Sequence, residues 1–245
     1  NMLPLSLMEL GRENLILDRD TQLLAGCMPY LYVNEGISPS EYYKSYIETY
    51  LERDIAMQHH VHDMALFERM LHLLASRVGQ LVNESSLASD AGINYRTLQG
   101  WLSILESTHI IYRLKPWSLS RGSQEIKTPK LYFCDTGIVS CLLGIETPQQ
   151  MNRDPLMGQI FENLIVMEAL KAEYDCNMID SLAFFRNSNG IEVDLIHSRP
   201  EGRNIFEIKA SMTPSRDLLK NTEFFSRKYG AASSAVIYAG EDCPE

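Results

Sequence analysis

The sequence predicts a mixed α+β chain in three successive parts: a helical first third, a helix-turn-helix followed by two strands, and an α-β-β-β-α-β series at the end. Three observations predict it. Apolar residues recur at helical spacing (i, i+3, i+4, i+7) through the first half. A tight Gly92-Ile93-Asn94 turn separates two such segments. Beyond residue 180 the period falls from 3.6 to 2, in short runs bounded by Asn, Ser, Gly and Pro.

The first helix of note starts at Ser38-Pro39-Ser40-Glu41, which offers a cap and a first-turn proline. Tyr43, Tyr46, Ile47, Tyr50 and Leu51 then form one apolar stripe over 42–55. This is a packing helix. His59 and His62 are three apart, but no third ligand follows at zinc-site spacing, so His59, His60 and His62 read as a solvated helix end. In the middle, Leu66, Met70, Leu73 and Leu74 mark a helix over 65–78. A short helix over 83–92 closes on Gly92. Asn94 then caps a helix over 95–107 whose inward face is Leu98, Trp101, Leu102 and Leu105. Strands at 110–114 and 130–134 follow. The segment 118–130, with Arg121, Lys127 and Lys130, would be the wing of a winged helix. Such modules place the second helix in a DNA groove. Tyr95, Arg96, Gln99 and Ser103 would face the nucleic acid, with Arg121 and Lys127 on the wing. One arginine on that face is thin for phosphate contact, and the alternative is a winged helix that packs between domains or subunits.

The last part predicts a helix over 156–174, strands near 181–186, 191–197 and 203–210, a helix from Thr213-Pro214 to about 227, and a strand at 235–238. Asn187-Ser188-Asn189-Gly190 and Ser198-Arg199-Pro200-Glu201-Gly202 are turn chemistry for the two hairpins. The domains read as 1–63, a helical linker; 64–135, the winged helix; and 136–245, the strand-rich domain.

Composition bounds the function. The 245 residues are 45% apolar and carry a net charge of −10, from 22 basic against 32 acidic residues. That excludes coating nucleic acid by bulk charge and leaves room for a local basic groove. The five cysteines (Cys27, Cys134, Cys141, Cys176 and Cys243) form no CxxC pair and read as reduced thiols, which suits the cytoplasm. No apolar run reaches the roughly 18 residues of a membrane span, so no membrane role is expected.

Chemistry concentrates in two strands. In Ile191-Glu192-Val193-Asp194-Leu195, alternation places Glu192 and Asp194 on one face and Ile191, Val193 and Leu195 on the other. In Ile205-Phe206-Glu207-Ile208-Lys209, Glu207 and Lys209 share a face. If the hairpin pairs Asp194 with Glu207, Glu192 falls opposite Lys209, and opposed side chains lie about 5 Å apart at Cβ. Two carboxylates that close repel unless a cation sits between them. Oxygen-only ligands suit Mg²⁺ or Mn²⁺. Glu162 stands on a helix with apolar neighbours Ile165, Val166 and Ala169, where a carboxylate needs a partner. The expected metal ligands are Asp194, Glu207 and the Ile208 carbonyl, with Glu162 direct or through water. Lys209 would orient the attacking water and neutralise developing phosphate charge. The competing reading is a set of cross-strand ion pairs on a half-exposed sheet.

Glu162, Asp194 and Glu207-x-Lys209 in α-β-β-β order resemble the PD-(D/E)xK nuclease-like fold. Longer strings, YYKSYIETYLERDI (42–55), KLYFCDTGIVSCLLGI (130–145), FENLIVMEALK (161–171), FFRNSNGIEVDLI (184–196) and FEIKAS (206–211), resemble the C-terminal region of a prokaryotic family of AAA-type ATP-binding proteins. In that family an ATPase module precedes a domain of uncharacterised function, and LPLSLMEL (3–10) looks like the end of that module. The resemblance implies that ATP binds only in an upstream module, since no GxxxxGK[ST] loop occurs here. Expected partners are that module, DNA and a second copy of the chain. Two functions follow: a metal-dependent nuclease-like, nucleic-acid-processing module, or a non-catalytic DNA- or protein-binding regulatory module coupled to an ATPase.

Overall fold

A computed structural model describes residues 3–34, 36–49, 63–118, 127–178, 180–213 and 216–240, with backbone alone at 216 and 217. Tyr50, Leu51, the three predicted helix-end histidines, Arg121, Pro214 and Cys243 lie outside the described residues. The chain is mixed α+β, with helices and two sheets. In order the elements are α1 (Leu7–Arg12), α2 (Arg19–Ala25), α3 (Pro29–Val33), α4 (Pro39–Tyr46), α5 (Met64–Ala75), α6 (Glu84–Ala91), α7 (Tyr95–Ser107), β1 (Ile111–Leu114), β2 (Lys130–Phe133), α8 (Thr136–Leu142), α9 (Pro148–Arg153), α10 (Met157–Asp175), β3 (Leu182–Arg186), β4 (Glu192–Arg199), β5 (Gly202–Lys209), a 3₁₀ turn (Arg216–Leu219), α11 (Lys220–Tyr229) and β6 (Ser233–Tyr238). Among the described residues no helix is long and apolar enough to cross a membrane.

Two compact units divide the chain: Asn1–Arg113 with Leu131–Met167, and Leu114–Lys130 with Glu168–Glu245. In the first unit the local signals act as the residue types dictate. Gly92 ends α6 at φ +77°, and the Asn94 side chain accepts the Thr97 N–H to start α7. The α7 stripe Leu98, Trp101, Leu102 and Leu105 is buried. The centre of this unit is Asp135. Its buried carboxylate caps α8 by accepting the Gly137 N–H (2.8 Å), and also accepts the Cys27 N–H (2.7 Å) and the Tyr43 hydroxyl (2.6 Å). One side chain thus ties the end of α2, α4 and α8. A side chain at Gly137 would run into the Tyr43 ring at 2.1 Å, so this position must be glycine. The string around Cys134-Asp135-Thr136-Gly137 is therefore a structural clamp. Asn163 of α10 does similar work on β2: its amide accepts the Phe133 N–H (2.7 Å) and donates to the Phe133 carbonyl (2.8 Å).

In the second unit β3, β4 and β5 form an antiparallel meander, and β6 joins β5 in parallel after the α11 crossover, giving the order β3-β4-β5-β6. The β4–β5 register pairs Arg199 with Gly202, leaving the two-residue turn Pro200-Glu201. The Asn187 carboxamide closes the β3–β4 turn on the Asn189 and Ile191 N–H groups (2.9 and 3.0 Å). Against α11, Phe225 packs with Phe185, Val193, Ile196 and Ile205. Trp117 enters this core from the segment after β1, 5.0 Å from the Phe225 ring and 5.1 Å from Tyr229. The backbone at 115–117 also pairs with Phe184 and lines the β3 edge.

Strict alternation fails in β4. Ala183 pairs with Ile196 and Phe185 with Val193, so two steps on β3 oppose three on β4. That is a β-bulge at Asp194-Leu195. It brings Val193 and Ile196 into the same core cluster, although their spacing would separate them in a regular strand.

Removing the Asp135 carboxylate would take the acceptor from the buried Cys27 and Gly137 N–H groups, while the Tyr43 hydroxyl could still donate to the Ala25 carbonyl at 2.9 Å. Asp135→Ala should cost on the order of 3 kcal/mol, and Tyr43→Phe about 1 kcal/mol. Equilibrium urea unfolding measures both; a loss at Asp135 no larger than that at Tyr43 contradicts the clamp.

Candidate functional site

Bulge and ladder end together build the site. The β4–β5 ladder runs from Arg199↔Gly202 to Leu195↔Phe206 and stops there. Continued by one step, that register faces Asp194 with Glu207. Instead of a further rung, Asp194 Oδ2 accepts the Ile208 N–H at 2.8 Å. Both carboxylates are nearly fully buried, Asp194 at 6% and Glu207 at 4% exposure. Lys209 Nζ sits 2.7 Å from Glu207 Oε1 and 3.5 Å from Asp194 Oδ2. Glu207 Oε2 is buried with no hydrogen-bond partner among the described residues. Burial, and then the charge of Asp194, push the Glu207 carboxyl up to about 7, more than the Lys209 contact pulls it down.

Glu192 does not meet Lys209. It pairs with Lys130 and lies 3.3 Å from Arg186 Nη1. The cause is local: the ladder ends before residue 194, and Lys209 turns to Asp194 and Glu207. Lys130 does not belong to an exposed wing either. It is 2% exposed, stands 3.9 Å from Asp194 Oδ1 and lies over the Phe184 ring at 5.6 Å. Lys130 and Arg186 are the site residues that sequence reasoning missed. One cue for Lys130 was available: a lone charge opening the otherwise apolar run Leu131-Tyr132-Phe133.

The structure thus brings Asp194, Glu207, Ile208 and Lys209 together in the second unit. Glu162 falls in the first unit, where the Tyr132 hydroxyl donates to its Oε1 at 2.6 Å. Among the described residues no three His, Cys, Asp or Glu side chains gather as a ligand set. Two carboxylates, one with an orphaned buried oxygen, still fit a hard divalent ion, because Mg²⁺ is usually held by one or two carboxylates and keeps several waters. The cluster does not fit zinc, which takes Cys and His.

The α7 face carries Tyr95, Arg96, Gln99 and Ser103, all exposed as the spacing predicts, and Lys127 is exposed as well. A carboxylate occupies that face too. The Gln99 amide donates to the Tyr95 hydroxyl (2.7 Å) and reaches Glu84 (3.4 Å), while Arg113 pairs with Glu84 and Glu106. Elsewhere in the second unit, Glu173 Oε1 and His197 Nε2 are buried 3.9 Å apart, each without a hydrogen-bond partner among the described residues. Burial raises the Glu173 carboxyl and lowers His197.

Residues 17–149 match the model of a family described as Domain of unknown function (DUF8612), and residues 157–245 match Domain of unknown function (DUF4143). The latter is a domain found in C-terminal regions associated with AAA-type ATPases. An uncharacterized protein of Mycobacterium bovis is 30% identical over 222 residues, covering 89% of this chain and 48% of the relative. An uncharacterized protein of Mycobacterium tuberculosis gives the same figures. An uncharacterized protein of Haemophilus influenzae is 29% identical over 136 residues, covering 52% of this chain and 32% of the relative. The chain spans about half the length of the mycobacterial relatives it matches. No solved structure matches it significantly. With more than half of its residues inside the first match, the chain belongs to the DUF8612 family.

Proposed function

We propose that this chain is a nucleic-acid-processing module of an AAA-type ATP-binding protein, with a PD-(D/E)xK-like metal site at the ends of β4 and β5. The observation that carries this reading is the buried, unpartnered Glu207 Oε2 beside Asp194. The meander β3-β4-β5 with β6 added in parallel after a helix supports it, as does the DUF4143 match in an ATPase-associated setting. In the first unit, α6, α7 and the β1–β2 pair suit a winged helix.

The residues divide the work as follows. Asp194, Glu207 and the Ile208 carbonyl would hold Mg²⁺ or Mn²⁺, which when bound supplies positive charge to a phosphoryl group under attack. The N–H of Ile208 fixes the Asp194 carboxylate, so one of its oxygens keeps a set direction. Lys209, whose partly exposed side chain sets its ammonium on Glu207 and Asp194, would orient water there and offset developing negative charge. The Glu162 carboxylate accepts the Tyr132 hydroxyl in the first unit.

One observation favours a second reading, a non-catalytic binding module. Each carboxylate already has a cation: Glu192 has Lys130 and Arg186, and Asp194 and Glu207 share Lys209.

Incubation of the full chain with single- and double-stranded DNA and with RNA, in Mg²⁺ or Mn²⁺, decides between them. Cleavage is expected, abolished by EDTA and reduced at least about 100-fold in Asp194→Ala and Lys209→Ala, a loss typical of removing an electrostatic catalytic group. Intact substrates in every combination, with nucleic acid still bound, would select the second reading.

The raised Glu207 carboxyl gives a test that needs no turnover. A folded-state value of about 7 against an ordinary 4.5 means the folded chain holds this proton more tightly than the unfolded chain. The associated stability is present in full below about pH 4.5 and is lost as pH rises through about 7. In EDTA, the urea midpoint should fall across that window, and Glu207→Gln should flatten the fall. Mn²⁺ should restore the wild-type midpoint at about pH 8. An unchanged slope in Glu207→Gln would assign the pH dependence to other groups.

A further inference from the structure

We propose that Lys130 is a built-in counter-cation of the Asp194–Glu207 site and weakens its hold on a divalent ion. The inference rests on the metal reading above and adds a residue that sets the strength of that site.

Lys130 opens β2, and its side chain is 3% exposed. Burying an ammonium is costly unless anions accompany it. Its partners include Glu192, in direct contact, and Asp194 Oδ1 at 3.9 Å, with the face of Phe184 beneath. The two oxygens of Asp194 are therefore unequal. Oδ2 is committed to the Ile208 N–H and lies near Lys209. Oδ1 is the oxygen left to face an incoming ion, and the charge it now faces is Lys130. At 3.9 Å the ammonium is too far to count as a direct hydrogen bond to Asp194, yet near enough to repel a cation bound there. Glu192 bears on how strongly Lys130 leans on Asp194, because it is in closer contact with the ammonium than Asp194 is and is itself shared with Arg186.

The neighbouring charges agree. Lys130, Arg186 and Lys209 already stand beside Glu192, Asp194 and Glu207, so a divalent ion enters against positive charge. The placement crosses the two family matches. Lys130 lies inside the DUF8612 match, whereas all three carboxylates lie inside the DUF4143 match, and yet Lys130 packs in the same compact unit as they do. A charge contributed by one family segment thus acts on the acidic strands of the other.

The test titrates the purified full chain with Mn²⁺ and reads free ion by electron paramagnetic resonance, with urea melts to verify folding. Lys130→Met should bind Mn²⁺ at least about tenfold more tightly than wild type, the low end of what groups around a metal's ligands are worth. Lys130→Arg keeps the charge and should stay near wild type. Glu192→Gln frees Lys130 to lean on Asp194 and should weaken binding; this variant carries the test if Lys130→Met does not fold. Wild-type binding with Lys130→Met equal or weaker, or Glu192→Gln equal or tighter, overturns the role of Lys130 alone. No Mn²⁺ binding by wild type, Lys130→Met or Lys130→Arg overturns the metal reading itself, and this inference with it.

Discussion

Asp194 and Glu207 are buried carboxylates that share the ammonium of Lys209, and the geometry around them follows from that constraint. Two like charges about 5 Å apart repel by roughly 3 kcal/mol at an effective dielectric of about 20, before any cost of burial. Lys209 offsets part of this, the Ile208 N–H a further part, and Lys130 approaches from the other side of Asp194. Burial of Glu207, and then the charge of Asp194, raise its carboxyl to about 7, and its Oε2 has no hydrogen-bond partner among the described residues. A divalent ion and a proton are alternative occupants of the same electrostatic deficit.

The backbone makes that deficit unavoidable. A regular β4 would put Val193 and Leu195 on the core side and leave Asp194 on the other face. The bulge at Asp194-Leu195 lets Val193 and Ile196 both reach the Phe225 cluster and turns the intervening carboxylate to the end of β5. Core packing and site geometry are set by the same extra residue. A substitution that regularises β4 would therefore disturb both at once, whereas truncating Glu207 disturbs only the site. The first unit has a comparable constraint in Asp135, but there all the donors are protein groups and the clamp is complete in itself.

Much of this architecture was legible in the residues. The Gly92-Ile93-Asn94 turn, the stripe of α7 and the period-2 charges at 192–194 and 207–209 each carry a local cause, so their elements lie where the spacing puts them. The nearness of Asp194 to the end of β5 also follows from hairpin register, because a two-residue turn at Pro200-Glu201 fixes the sum of paired positions up to Leu195 and Phe206, where the ladder stops. The bulge was not legible. Nothing in Ile191-Glu192-Val193-Asp194 distinguishes a strand with one extra residue from a regular one, since the difference lies in what β3 offers opposite. Lys130 was misread for a related reason. A basic residue between two strands looks like a wing, and only tertiary structure brings it to acids more than sixty positions away. Asp135 and Asn163 were passed over because a polar residue that satisfies buried backbone has no periodic signature.

This difference bears on how far a resemblance carries chemistry. Glu162 of the motif and its neighbour Asn163 both work on β2 in the first unit: one accepts the Tyr132 hydroxyl, the other pairs with the Phe133 backbone. Asp194 shares such a duty, since its carboxylate accepts the Ile208 N–H, whereas Glu207 Oε2 is buried with no hydrogen-bond partner among the described residues. A protein gains no stability by keeping an unpaired buried carboxylate oxygen beside another carboxylate. Strings such as FENLIVMEALK thus argue for the fold, because fold stability explains them. The orphaned oxygen of Glu207 argues for chemistry, because fold stability does not explain it.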